Sequence, residues 1–99
     1  MNQLRLTLYV AGDSPRTRQA KANLERICAE HLGGGAHCTT VDVLEAPAAA
    51  ETERILTTPT LVREQPLPRR RVTGDLSDTG RVLVALGLDA ASPDIPERS

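Results

Sequence analysis

Ile55-Leu56-Thr57-Thr58-Pro59-Thr60-Leu61 is the stretch on which the order of elements turns. Proline disfavours helical backbone at the residue before it and has no N–H for a sheet ladder, so Thr58-Pro59 marks an extended junction or a turn. A helix has to stop before it, and a short strand, Thr60 to Arg63, starts after it. X-Pro bonds are cis in only about 5–6% of cases in folded proteins, so the dipeptide alone decides nothing about its isomer.

Upstream, Leu4, Leu6, Leu8 and Val10 alternate with Arg5, Thr7 and Tyr9, the period of a strand with one apolar face. Ala11-Gly12-Asp13 turns the chain, and Ser14-Pro15 opens a helix with a capping hydroxyl followed by a proline whose missing N–H costs nothing. Ala20, Leu24, Ile27, Cys28 and Leu32 form its apolar stripe; Arg16, Gln19, Asn23, Arg26 and Glu30 form its wet side. The helix is expected to end near His31, before Gly33-Gly34-Gly35, with a second strand from His37 to Val43. The resulting βαβ unit should be right-handed with parallel strands. Pro47 to Ile55 or Leu56 reads as a second, alanine-rich helix with a poor apolar face.

Downstream, Glu64-Gln65-Pro66-Leu67-Pro68 connects the third strand to a fourth, Arg69 to Thr73, in an antiparallel hairpin. Gly74-Asp75 turns into a last helix for which Ser77 is the expected cap and Leu76 a hydrophobic staple, although Gly80 stands at the capping-box position. Val82-Leu83-Val84-Ala85-Leu86 would serve in a helix or in a strand.

Ninety-nine residues make one domain, with ordered structure expected over about residues 4–89 and a flexible tail over 90–99. Tyr9 is the sole aromatic residue, so the core must be aliphatic and thin, which leaves room for self-association. A formal net charge of −1 gives no field that would steer the whole molecule to nucleic acid or membrane. No apolar run approaches a membrane span, and Met1-Asn2-Gln3-Leu4-Arg5-Leu6 lacks the layout of a signal peptide, so a cytoplasmic location is expected.

The element order βαβαββα, over a mixed four-stranded sheet, is similar to that of a thioredoxin-like α/β domain, in which a proline at the position of Pro59 is typically cis. A thiol enzyme of that fold would carry its cysteine at the first strand-to-helix junction, where a helix N-terminus lowers the pKa. That junction is Gly12-Asp13-Ser14-Pro15. Cys28 and Cys38 form no CxxC and read as small core residues, with neither a zinc site nor a disulfide scaffold indicated. His31 and His37 with Cys38 are too few ligands, on too loose a loop, for a metal, and no cofactor is indicated.

A closer resemblance lies in an ordered set of segments. Leu8-Tyr9-Val10-Ala11-Gly12, Val41-Asp42-Val43-Leu44, Ile55 to Leu61, Gly74-Asp75-Leu76-Ser77 and Leu86-Gly87-Leu88-Asp89 together resemble the KaiB family over about residues 4–89. The resemblance extends to the KaiB-like sensor domain of a clock-associated histidine kinase. It implies a non-enzymatic protein that binds a KaiC-type ATPase ring and competes with that sensor domain. It also implies a metamorphic chain, able to rebuild its second half into a tetramer-forming fold. Pro59, Gly74, Asp75, Gly87 and Asp89 are then expected to govern the fold, Gly87 as a left-handed cap. Pro66-Leu67-Pro68 in place of three prolines, Gly80, Gln19 and the tail with Pro93 and Pro96 mark a divergent member. These departures weigh against a KaiA-linked role, and the tail favours the thioredoxin-like state. A redox or chaperone-like stress protein of the same fold is the rival reading.

The candidate partner-binding residues are Arg63, Arg70 and Arg71, which with Arg69 form the chain's basic cluster. Without aromatic platforms beside it, the cluster does not read as a nucleic-acid site. It would equally guard a sheet edge against unwanted pairing or dock onto carboxylates of another protein.

Overall fold

The computed structural model describes residues 4–33 and 35–88. Along the chain these form β1 (Leu4–Val10), α1 (Pro15–His31), β2 (Ala36–Asp42), α2 (Pro47–Glu53), β3 (Thr60–Gln65), β4 (Arg70–Thr73) and α3 (Thr79–Ala85). The strands lie in the order β2-β1-β3-β4. β1 runs parallel to β2 and antiparallel to β3, with a register shift between Arg5 and Leu6, and β4 runs antiparallel to β3. The sheet is therefore mixed, and its second half takes the hairpin-then-helix arrangement of the thioredoxin-like form.

The alternation in β1 sorts the sheet into two faces. Leu6, Leu8 and Val10 join Leu61 and Val72 in a buried cluster with Ala20, Leu24 and Ile27 of α1 and with Leu76, Val82 and Leu86 around α3. Ser14 caps α1 as its sequence predicts, its Oγ accepting from Thr17 N at 3.1 Å. At the end of β2, Asp42 Oδ1 accepts from Gly12 N at 3.0 Å and from Leu44 N at 2.9 Å, tying the β1–α1 turn to the neighbouring strand.

The Thr58-Pro59 bond is cis, and the Gln65-Pro66 and Leu67-Pro68 bonds are also cis. Pro59 is buried, and its carbonyl accepts from Gly74 N at 2.9 Å, so the start of β3 is fastened to the end of β4.

Two helix boundaries and the burial of one residue differ from the sequence expectation for identifiable reasons. α2 stops at Glu53 instead of Ile55 or Leu56 because Arg54 turns left-handed, with φ 57°. Ile55 N then donates to Ala50 O at 2.9 Å and closes the helix end. α3 is capped by Asp78, whose carboxylate accepts from Arg81 N at 3.1 Å, because Ser77 is drawn into a turn by Asp75: Ser77 N donates to Asp75 Oδ1 at 3.0 Å. Asn23, placed by periodicity on the wet side of α1, is buried, and its Nδ2 donates to Asp75 O at 2.8 Å.

Gly87 ends α3 with φ 69°. Gly87 N donates to Val84 O at 3.0 Å and Leu88 N to Leu83 O at 2.7 Å, the paired bonds of a Schellman cap. A Cβ at Gly87 would lie 3.0 Å from Arg63 Nη1 and 3.3 Å from Arg70 Nε, so both dihedral freedom and small size count here. Gly87→Ala is expected to cost about 1–2 kcal/mol from the left-handed backbone alone, read as a lowered urea midpoint with unchanged slope.

Candidate docking face

The candidate arginines Arg63, Arg70 and Arg71 look like one patch in sequence, but strand alternation divides them. Arg63 pairs with Arg70 across the hairpin, and Val62 pairs with Arg71. Residues directly opposite share a face of the sheet. Arg63 and Arg70 therefore point to the side that α1 and α3 cover, and Arg71 points to the other.

Arg63 corrects the sequence reading. It is 6% exposed and belongs to the interior, where Leu61 and Arg63 alternate onto the same covered face. Its Nη1 donates to Leu86 O at 2.8 Å and its Nη2 to Pro68 O at 2.7 Å. One guanidinium thus joins β3, the C-terminal end of α3 and the hairpin loop, and presents no free cation to a partner.

Arg71 is partly engaged. Its Nη2 donates to Glu53 O at 2.8 Å and its Nη1 to Arg54 O at 3.2 Å, the carbonyls at the end of α2. The Glu53 carboxylate, on a residue only 8% exposed, lies 3.7 Å from Arg71 and also pairs with Arg69, which in turn pairs with Glu64. Glu53 carried no signal in the sequence beyond its helix preference, yet it organises this side of the hairpin. Tyr9 sits among these charges, buried on the same face. Burial first, and Glu53 next, push its phenol above the ordinary value of 10.0.

Arg70 is different: it is exposed, and no ion pair holds it among the described residues. Exposed apolar side chains of the second half are Leu67 in the hairpin loop, Val84 on α3 and Leu56 before Pro59.

The remaining fold-determining candidates gather around the exit of β4. Gly74 has φ 112°, and Leu76, two residues on, is buried with a left-handed φ of 64°. The Asp75 carboxyl is held below its usual range chiefly by its hydrogen bonds from Ser77. Asp89, Pro93 and Pro96 lie outside the described residues, as does the last residue of the expected ordered span.

The β1–α1 junction bears no thiol. Cys28 is half-buried on α1, whereas Cys38 is exposed on β2, which corrects the expectation that both are core residues: β2 is an edge strand whose covered face α1 only partly reaches. His37 and Cys38, adjacent on a strand, point to opposite faces, and among the described residues no three His, Cys, Asp or Glu side chains gather as metal ligands.

This sheet and its helices define a thioredoxin-like domain. It is similar to the N-terminal domain of Synechococcus elongatus SasA (TM-score 0.74, 18% identity, 97% of this chain and 91% of that one) and to chloroplastic thioredoxin z (TM-score 0.69, 21% identity, 89% and 80%). Residues 7–88 match the KaiB domain; the chain is 49% identical to the circadian clock protein KaiB3 of a Synechocystis species over 90% of its own length and 85% of that protein's, and 45% identical to the circadian clock oscillator protein KaiB of Synechococcus elongatus over 84% and 81%. The chain belongs to the KaiB family.

Because Tyr9 is the sole aromatic residue, its ionisation can be followed directly by ultraviolet absorbance. The folded protein should titrate above 10.0, the ordinary value, while the urea-unfolded chain titrates near it. The folded state holds the phenolic proton more tightly, so stability should be intact below the unfolded value and fall as pH rises through the folded one. Coincident titrations would remove Tyr9 from the interior.

Proposed function

We propose that this chain is a non-enzymatic clock-type interaction module that docks in the cytoplasm onto a KaiC-type ATPase ring through the β4 edge of its hairpin. The observation that carries the proposal is Arg70: an exposed cation on an edge strand, without an ion pair among the described residues, in a chain of the KaiB family. Such a guanidinium can take a carboxylate in a bidentate bond at little internal cost. Arg71, half committed to the end of α2, adds charge to the same strand, and Arg63 acts by holding the hairpin on α3. Fold and cap residues Pro59, Gly74, Asp75 and Gly87 set the shape of this edge. A histidine kinase sensor domain of the same fold would compete for the ring, and KaiA is left outside the proposal because of the departures at Gln19 and in the tail. Among the described residues, no helix is long and apolar enough to cross a membrane.

The absence of a thiol at the β1–α1 junction supports the non-enzymatic part of the proposal. Insulin reduction should therefore remain at background; turnover that disappears when both cysteines become alanine would sink it.

Gel filtration of the protein with the KaiC homologue of the same genome is expected to give an ATP-dependent complex. Arg70→Glu should weaken that complex roughly tenfold, mainly by slowing association, and wild-type affinity should fall with added salt. Arg71→Glu should lose affinity and also stability, since it strips bonds from α2. Unchanged affinity in both folded variants would assign the arginines to edge protection.

A further inference from the structure

The βαβ crossover brings Cys28 of α1 and Cys38 of β2 together across the covered face of the sheet, with their Sγ atoms 3.3 Å apart. Both are free thiols. A disulfide needs an S–S distance of about 2.0 Å, so the two sulfurs are separated from bonding by roughly the length of one side-chain adjustment. We propose that Cys28 and Cys38 form a reversible dithiol–disulfide couple that reacts with low-molecular-weight disulfides and, when oxidised, pins the C-terminal half of α1 to the edge strand β2. The proposal is independent of the docking function above.

Access and adjustment both favour it. A groove of ≈ 560 Å³ between α1 and β2, lined by Leu24, Thr40, Lys21 and Glu25, opens onto the two sulfurs. Cys38 is exposed at its edge. The connection between the two residues passes through Gly33, which has φ 57° and, apart from its chain neighbours, nothing within 4 Å of the position its Cβ would take. No side chain is therefore packed against the chain at that glycine.

The two thiols are not equivalent. Cys28 is pushed up to about 12 by burial first and then by its hydrogen bond with Cys38, so it remains protonated and enters second. Cys38, the exposed sulfur, attacks one sulfur of a disulfide RSSR, gives up its proton and expels the first RS− to form a Cys38–SR mixed disulfide. Cys28 then attacks the Cys38 sulfur, its proton leaving with the second RS−. Two protein thiols become one disulfide while RSSR is reduced to two RSH, a balanced two-electron exchange. The couple lies at the far end of α1 from the β1–α1 junction, so it is a modification site and not the apparatus of a turnover enzyme.

Incubation of the purified protein with oxidised glutathione, followed by intact mass, thiol titration and thermal unfolding, tests this. Wild type should lose the mass of two hydrogens and both titratable thiols, recover them with dithiothreitol, and gain on the order of 10 °C in Tm when oxidised. Cys28→Ser should stop at a glutathione adduct on Cys38, and Cys38→Ser should react far more slowly. Wild type that stops at the adduct, crosslinks between chains, or keeps both thiols in excess oxidised glutathione overturns the proposal.

Discussion

Two guanidinium groups from one hairpin close the ends of two short helices, and the second half of the domain depends on them. Arg63 donates to Leu86 O at the end of α3, and Arg71 donates to Glu53 O and Arg54 O at the end of α2. Each helix spans seven residues, too few to be stable on its own. The last carbonyls of a helix are its negative pole and lack partners within it. A cation on the neighbouring strand satisfies both needs, and hydrogen bonds to charged groups contribute about 1.5–3 kcal/mol each. For Arg63 the bond is also obligatory, since a buried guanidinium without acceptors would be strongly destabilising.

This dependence follows from how little apolar surface the two short helices bury within their own spans. β1 and α1 supply Leu6, Leu8, Val10, Ala20, Leu24 and Ile27 to the core, whereas α2 buries only Glu53 and α3 only Val82 within its helical span. The second half's other core residues, Leu61, Val72, Leu76 and Leu86, lie on the hairpin and beside α3, so the two short helices themselves lean on polar bonds to the hairpin. The non-glycine residues with left-handed backbone among those described, Arg54 and Leu76, both lie in the second half. At Arg54 and Leu76 no glycine relieves the steric cost, of order 1–2 kcal/mol per residue. Leu76 recovers it through burial, and Arg54 through the bonds its carbonyl and that of Glu53 receive from Arg71.

Where a rule of local chemistry acts alone, the sequence is legible. The alternation of β1, the Ser14-Pro15 entry, the break at Thr58-Pro59 and the glycine cap at Gly87 all appear as the residues imply. Long-range bonds blur the rest. Asn23 looks solvated by helical period and is buried because a carbonyl 52 residues away accepts from it. Ser77 looks like a cap and loses that place to Asp78 because Asp75 takes its N–H. The arginines were legible as residues but not as a site: the period of two that reveals β1 also separates Arg70 from Arg71, and reading them as one patch overlooks it. Cys28 and Cys38 share no short motif, and only the crossover of α1 over β1 and β2 makes them neighbours.

The same alternation leaves the arginines of β4 unequally engaged by the fold. A carboxylate arriving at Arg71 would compete with two backbone carbonyls and with Glu53, so its gain is offset by bonds withdrawn from the end of α2. At Arg70 no ion pair among the described residues would be broken, and the side chain already lies beside Gly87 at the end of α3. A cation placed there gives most of its interaction to whatever approaches, because the fold has made little use of it. Arg63, opposite Arg70 on the same face, is spent wholly on the fold. Arg63, Arg71 and Arg70 of one hairpin are thus committed, shared and available in turn, according to which carbonyls and carboxylates the short helices and the hairpin loop bring within reach.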